Sequence, residues 1–447
     1  MNGSTHPARI LILGGGFAGI SAARRLESRL RASEAKITLV SRENFTLFTP
    51  MLPEVSSGAL DVRHVVTPIR SQLRRTRFVL GDVRSVDVLA KSVLVQHTLS
   101  GEMEQIDYDH VVLALGATTS TFGLPGVAER VFALKTLEDA GILRNRFVWL
   151  LELADTIVDP QERARLLTIV VVGGGFTGVE ATGELVELFL SVLRFYPTIH
   201  KRDIRVVLVE GGAALLPGLP EKMGRYSASL LRKRGVEVLT GDGVAEATDD
   251  ALILQSGARI DTRTVVWSAG VKPAPALEST PLPRTKRGAI VVHDDMSVPG
   301  LPGAWAIGDC AAIRSGEEAY YPPTAQHALR EGPALADNIA RTLRGEATRP
   351  FRFSALGMMA SLGARKAVAQ LPGNVVLTGF LAWFLWRTYY LLRLPGLDRK
   401  LRVAFDWTLE LLFPRDIAEL RIYTRNAQSS AATDAGLLPR DEGKPTL

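Results

Sequence analysis

Two short glycine runs have the spacing to do chemistry. Residues 14–19 read GGGFAG and residues 173–178 read GGGFTG. In such a turn the first glycine, Gly14 or Gly173, permits a tight bend straight out of a strand. The second, Gly16 or Gly175, has no Cβ to block a pyrophosphate from the backbone. The third, Gly19 or Gly178, lets the next helix pack closely on the strand. The free N–H groups and positive dipole end of that helix then face the phosphate oxygens. Each run follows a Leu-rich or β-branched stretch (ILIL at 10–13, IVVV at 169–172) and precedes a stretch rich in Ala, Leu and Glu. A strand–turn–helix context is what separates a phosphate site from a chance glycine cluster. A chain with this device twice is expected to hold two dinucleotides.

The acids at neighbouring strand ends sharpen this expectation. After the second run, the strand expected over 204–209 ends in Glu210. A carboxylate there accepts hydrogen bonds from both adenosine ribose hydroxyls and repels a 2′-phosphate, so NADH is expected over NADPH. After the first run the strand over 36–40 is followed by Ser41, Arg42 and Glu43 instead. Either Ser41 supplies one hydrogen bond to the ribose, or Glu43 reaches back to it. The stretches YDHVVLALG (108–116) and RTVVWSAG (263–270) read as buried strands that break at Gly116 and Gly270, and both glycines join the expected cofactor-binding set. AWAIGD at 304–309 ends in Asp309. Such an acid can hold a ribityl hydroxyl of a flavin, cap a helix, or do both.

The elements that position these residues must form two Rossmann-like α/β halves. The expected division is a first part of an FAD-binding domain over 1–125, an inserted NADH-binding domain over 126–285, and the rest of the FAD-binding domain over 286–349. A C-terminal membrane-association or interface region follows over 350–427, with a disordered tail over 428–447. The 447 residues, 46% hydrophobic and 22% charged, fit a folded chain of two or three domains. A net charge of +6 without dense basic tracts argues against nucleic acid and suits dinucleotide or anionic lipid. The single cysteine, Cys310, cannot cycle as a dithiol within the subunit, which disfavours sulfide or disulfide oxidation. Its expected role is a small buried apolar residue in a reducing compartment. The short polar start, leading directly to a strand, reads as carrying no signal peptide. No HExxH-like spacing is present and no metal is expected.

The character changes after about residue 350. Residues 371–394 read LPGNVVLTGFLAWFLWRTYYLLRL, with an uninterrupted apolar run over 375–386 that is short for a membrane span. Trp383, Trp386, Tyr389 and Tyr390 are residue types favoured at a lipid interface. Residues 401–413, LRVAFDWTLELLF, are amphipathic. Both stretches suit helices lying in a membrane surface. A homodimer interface or a cover over the domain core remains the alternative.

The order of these pieces resembles the type II NADH dehydrogenases, single-subunit, non-proton-pumping NADH:quinone oxidoreductases. The resemblance runs from about residue 9 to 416. It is carried by GGGFAG, NFTLFTPMLPEVSSG (44–58), YDHVVLALGATTSTFGLPG (108–126), GGGFTGVEATGEL (173–185), VVWSAGVKP (265–273), AIGDCA (306–311), PPTAQHALREG (322–332) and GFLAWFLWR (379–387). It implies FAD in the first half and NADH in the second, with hydride transfer that needs mainly close approach and alignment. It implies a place in a respiratory chain, at the cytoplasmic face of the cell membrane as a peripheral protein, with a membrane quinone as acceptor. It also implies that Glu180 lies near the nicotinamide and quinone region, where a buried carboxylate could tune quinol protonation, against the plainer reading of a helix first-turn acid. Gln326 matches the glutamine of the family's Ala-Gln segment near flavin and quinone. Where the family often has a second glutamine, this chain has Arg330. A cation there favours a different acceptor, or simply pairs with Glu331 or another acid. Two other functions fit the glycine pattern: an NADH-dependent reductase of a small electron-transfer protein, and an NADH-binding redox-sensing flavoprotein.

Overall fold

A computed structural model describes residues 6–278, 280–316 and 319–420. The expected disordered tail over 428–447 lies outside the described residues. The chain forms two compact units. The first comprises residues 1–48, 66–118 and 271–356, the second residues 49–65, 119–270 and 357–447.

The first unit is built on a seven-stranded sheet. Its order is Ala304–Ala306, His110–Leu113, Ala8–Leu13, Ala35–Ser41, Arg77–Asp87, Ser92–His97 and Met103–Asp107. The first five run parallel and the last two close the edge antiparallel. Ile10 to Leu13 are buried, as a central parallel strand covered on both faces requires. The helix Phe17–Arg29 buries Ala18, Ala22, Ala23 and Leu26 on its inward stripe. It packs against the helix Ala325–Leu343, and Gly332 fixes how closely. A Cβ at Gly332 would stand 2.5 Å from the Ala18 carbonyl oxygen. The strand expected over 304–309 is shorter: it stops at Ala306, and Asp309 sits in the 3-10 turn Gly308–Cys310.

The second unit repeats the plan with five parallel strands in the order Phe132–Ala133, Thr264–Trp267, Thr168–Val172, Arg205–Glu210 and Val236–Thr240. Its crossover helix is Phe176–Val192. The residues after 356 add an antiparallel sheet, Met358–Ser361, Ala367–Leu371 and Val375–Gly379. They then form two helices, Phe380–Arg393 and Leu397–Leu412.

The apolar run over 375–386 is therefore not one helix. Its β-branched start, Val375 and Val376, pairs with Leu371 and Gln370, and Gly379 at φ +73° turns the chain into the first tail helix. Among the described residues, no helix is long and apolar enough to cross a membrane.

Candidate active site

The two glycine turns have matching geometry. Gly14 and Gly173 leave their strands at φ +113° and +108°, in the left-handed region that other residues avoid. At Gly19 a Cβ would lie 1.9 Å from the Gly14 carbonyl oxygen, and at Gly178 it would lie 1.8 Å from that of Gly173. These four glycines are required by the fold. Gly16 and Gly175 are not. Each has extended backbone at negative φ, and a Cβ on either would meet nothing within 4 Å. The space each leaves open lies at the N-cap of a helix, where free N–H groups and the dipole attract phosphate. Both turns thus fit a dinucleotide pyrophosphate.

Ser41 and Glu210 occupy equivalent places, each the last residue of the strand beside its turn and each against its middle glycine. A Cβ on Gly15 would lie 2.7 Å from Ser41 Oγ, and one on Gly174 would lie 2.9 Å from Glu210 Cβ. Glu210 accepts from the backbone N–H groups of Gly174 (2.5 Å) and Gly212 (2.6 Å), one on each oxygen. Those bonds fix the carboxylate at the strand end, and lone pairs remain for ribose hydroxyls. Glu43 lies two residues beyond Ser41, exposed and 3.6 Å from Arg42.

Gly116 and Gly270 both have positive φ, +68° and +71°. They differ in what they face. Open space lies in front of Gly116, whereas the ring of Phe122 would be 2.2 Å from a Cβ on Gly270. Phe122 also lies 6.3 Å from Trp267. Its sequence signal is its place beside Gly123 in TSTFGLPG, a turn-like stretch that does not single it out.

In the first unit Asp309 stands beside the backbone of Gly308, whose N–H donates to Glu331 at 2.7 Å. Burial pushes the Glu331 carboxyl up to about 7, with Asp309 adding to the shift. Glu331, which in the sequence is no more than a possible partner for Arg330, is thus a buried acid. Arg330 donates to the Gln326 carbonyl oxygen (2.9 Å) and stacks over Phe353 (4.4 Å). The Gln326 side-chain oxygen accepts from Leu356 N–H at 3.4 Å, near the start of the helix Ala325–Leu343. Cys310 is buried, donates to the Leu113 and Ile307 carbonyls, and has its thiol pushed up to about 12 by burial. It behaves as the inert small residue expected of it.

The second unit holds a group of buried carboxyls. Glu180 and Glu184 are four residues apart on the helix Phe176–Val192, and both are buried. Between them, a Cβ on Gly183 would lie 2.6 Å from the Leu362 carbonyl carbon, so only glycine admits the 361–363 backbone this closely. That approach brings Ser361 N–H to 3.0 Å from Glu180 Oε1, which also accepts from Trp386 Nε1 at 2.9 Å. Burial raises the Glu180 carboxyl to about 8, against those two bonds. The first-turn reading of Glu180 leaves out what dominates there, a buried site closed by the C-terminal segment.

Glu184 accepts from Arg415 at 2.7 Å and from Ser57 at 3.2 Å. Arg415 also donates to Glu410 at 2.5 Å. Arg387 lies 3.5 Å from Glu410, between the rings of Trp383 and Trp407. Trp407 donates to Glu54 Oε1 at 3.0 Å, while Glu54 Oε2 is buried without a hydrogen bond. Burial first, then the Glu184 charge, hold Glu54 well above the usual carboxylate range. In the sequence Glu54 stands out only as part of NFTLFTPMLPEVSSG, because nothing local marks an acid that tertiary packing will bury.

Residues 8–332 match the pyridine nucleotide-disulphide oxidoreductase family, and residues 356–416 match the NDH2 C-terminal domain. The chain belongs to the type II NADH:quinone oxidoreductases. It is 33% identical over 92% of its length to a probable NADH dehydrogenase of Dictyostelium discoideum, covering 91% of that protein. It is 32% identical over 91% of its length to the type II NADH:quinone oxidoreductase Ndh of Mycobacterium tuberculosis, covering 89% of it. Its fold matches NDH2 of Plasmodium falciparum in complex with NADH, with a TM-score of 0.85 at 22% identity over 92% of this chain and all of that one. The chain is accordingly an FAD-dependent oxidoreductase that uses NADH, as the two turns indicate.

The glycines with and without room for a side chain should respond differently to substitution. Gly175→Ala should leave the melting temperature nearly unchanged, within about 0.5 kcal/mol, because its Cβ enters open space. NADH affinity should nevertheless fall at least tenfold. Gly178→Ala should instead destabilise by about 1–3 kcal/mol, since its Cβ would overlap the Gly173 carbonyl. Paired thermal melts and NADH titrations test both.

Glu180→Gln keeps an acceptor for Ser361 and Trp386. The raised Glu180 pKa means the folded state binds the extra proton, so this contribution to stability is fully present below the unfolded carboxyl pKa and is lost as pH rises toward about 8. The parent should lose at most about 1.4 kcal/mol for each pH unit climbed between those two values, a loss the variant escapes. The variant should therefore melt higher than the parent at pH 8, and the difference should shrink toward pH 5 in melts across that range.

Proposed function

We propose that the chain carries electrons from NADH through FAD to a membrane quinone, with Glu180 delivering the proton that NADH does not supply. The overall reaction, NADH with one proton and a quinone giving NAD⁺ and a quinol, needs one proton beyond the hydride. Bound FAD supplies the two-electron carrier between the two substrates. Gly14, Gly16, Gly19 and Gly116 are assigned to holding it, with Ser41, Glu43 and Asp309 toward its ribose and ribityl hydroxyls. Gly173, Gly175, Gly178, Glu210 and Gly270 are assigned to NADH. Gln326 is assigned to the acceptor side.

The observation that carries the proton role is Glu180 itself. A carboxyl kept largely neutral at neutral pH, with its charged form still supported by two donors, can release and regain a proton near working pH. Stopped-flow measurement of the two half-reactions tests it. In Glu180→Gln, flavin reduction by NADH should persist while reoxidation by quinone slows at least tenfold and loses its pH dependence. Unchanged reoxidation would overturn the assignment.

We further assign the tail to a membrane surface, on the cytoplasmic face. Support comes from the outer faces of its helices: Phe380, Leu381, Phe384 and Leu392 on the first, and Leu397, Leu401, Phe405 and Leu412 on the second, are each 58–73% exposed. Such a band fits an in-plane helix pair. Arg393 and Arg402 are exposed beside it and suit anionic lipid. Arg387 does not, being held by Glu410 and two tryptophans. A homodimer is the competing occupant of the same face.

Removing the tail would also take Trp386, Trp407 and Arg415 from three buried carboxyls. Leu401→Asp with Phe405→Asp leaves those contacts in place. The double variant should stop floating with anionic vesicles, and its turnover of long-chain quinone should fall much further than its turnover of ferricyanide. A parent that fails to float and a dimer split by these changes would assign the face to a second subunit.

Donor choice tests the second turn. The parent should prefer NADH to NADPH by about 1–3 kcal/mol, because Glu210 meets the ribose. Glu210→Ser should narrow the ratio of kcat/KM values. Equal use of both donors by the parent would remove Glu210 from that role.

A further inference from the structure

The outer side of the helix Ala325–Leu343 borders a cavity of about 510 Å³. Six arginines line it: Arg29, Arg330, Arg341, Arg344, Arg349 and Arg352. Only two carboxylates, Asp337 and Glu346, share the lining. Arg330, Asp337, Arg341 and Arg344 recur at spacings of three, four or seven, which places them along one side of the helix. The segment carrying Arg349 and Arg352 forms the opposite wall. None of the glycine-turn residues, Asp309 or Glu331 lines this cavity.

The opposite wall is fixed through its backbone. Arg349 N–H donates to Asn338 Oδ1 (2.9 Å), and Asn338 Nδ2 donates to the Arg349 carbonyl (2.8 Å) and to that of Asp295 (3.0 Å). Phe351 N–H donates to the Asp294 carbonyl at 2.7 Å, and Phe353 N–H to Tyr321 Oη at 3.1 Å. Phe351 and Phe353 give the cavity an apolar floor.

Guanidinium groups stay charged, so crowding six of them is unfavourable unless anions compensate. Ion pairs join Arg29 with Asp337 (2.7 Å), Arg341 with Glu346 (3.3 Å), Arg344 with Glu34 (3.1 Å) and Arg352 with Asp294 (2.7 Å). Glu34 and Asp294 lie outside the lining. Each pairing uses only part of a five-donor fork. Arg349 is exposed and, among the described residues, forms no ion pair. The lining thus keeps an excess of positive charge on two fixed walls, in a volume within the range of small-ligand sites. Arginine forks match phosphate oxygens two at a time.

We propose that this cavity binds a ligand bearing two or more phosphate groups, either a soluble polyphosphate such as a nucleoside triphosphate or a diphosphate lipid headgroup. The lining shares no residue with the dinucleotide turns, so this ligand is additional to the two dinucleotides.

Inorganic tripolyphosphate is the first probe, because without adenosine it lacks the ribose and base that the dinucleotide sites recognise. Isothermal titration of the FAD-loaded full-length protein at low salt should give one saturable site, weakened by salt. Arg349→Glu should weaken it at least tenfold and Arg349→Lys by a smaller factor, with the unliganded melting temperature unchanged because Arg349 is held through its backbone. Vesicle flotation with and without a diphosphate lipid separates the sources. Loss of tripolyphosphate binding with unchanged flotation assigns a soluble ligand, and loss of both assigns the headgroup. No saturable binding by the parent, or equal binding by parent and Arg349→Glu, would overturn the proposal.

Discussion

In both units a helix backbone touches a strand-end carbonyl with no room for one carbon atom. At Gly19 and Gly178 that carbon would stand within 2 Å of the oxygen of Gly14 and Gly173. The contact fixes the angle at which each crossover helix leaves its sheet. The helix N-terminus then points at one place just beyond the strand ends, the crevice where α/β sheets bind ligands. Everything assigned to the cofactors follows from this: the open face of Gly16 or Gly175, the neighbouring strand-end residue Ser41 or Glu210, and the return strand ending near Gly116 or Gly270. The constraint is internal to each unit, and the two turns, which differ in sequence only at Ala18 and Thr177, agree closely.

Buried acids dominate the chemistry of the second unit, and they are costly. Buried Glu54, Glu180 and Glu184 and the partly buried Glu410 are met by the cations Arg387 and Arg415 and by two indole N–H groups. A carboxyl that cannot be neutralised by a partner takes up a proton instead. Glu184 is paired with Arg415. Glu180 and Glu54 are bonded to neutral donors and are pushed upward by burial, and burial raises Glu410 as well although Arg415 and Arg387 stand beside it. Burial works against the Arg415 charge, and Glu184 and Glu410 outweigh it. The proton affinity of Glu180 is thus set first by burial, which outweighs the Ser361 and Trp386 hydrogen bonds that favour its charged form.

The parts legible in the sequence are those with local causes. Glycines at fixed spacing after β-branched runs mark both turns, and strand-end position marks Ser41 and Glu210, because turn geometry and strand burial are written within a dozen residues. The glutamine before His327 is legible through its resemblance to a family segment rather than through physics. Glu54, Glu331, Arg415 and Phe122 are not, since their surroundings come from segments far along the chain. Arg415 reaches Glu184 across 231 residues and Trp407 reaches Glu54 across 353. The apolar run over 375–386 misleads for a related reason. Hydropathy is blind to the partner strand Ala367–Leu371 that claims its first five residues.

The tail has two chemically different sides, and this explains its composition. Its inward residues are large and carry donors: Trp386 and Trp407 fill space and cap an acid, while Arg387 and Arg415 place charge against Glu410 and Glu184. Its outward residues, such as Phe384, Leu401 and Phe405, carry none. Tryptophan in this tail is therefore not read correctly as an interfacial anchor alone. Trp386 is 2% exposed and Trp407 5%, so their indoles face the protein rather than lipid. The first of these helices, apolar on its outer side, meets the buried Glu180 carboxyl inward with the Trp386 indole N–H, which supports its charged form. A force that lifts or tilts that helix would change the Trp386–Glu180 distance, and with it the proton affinity of that carboxyl.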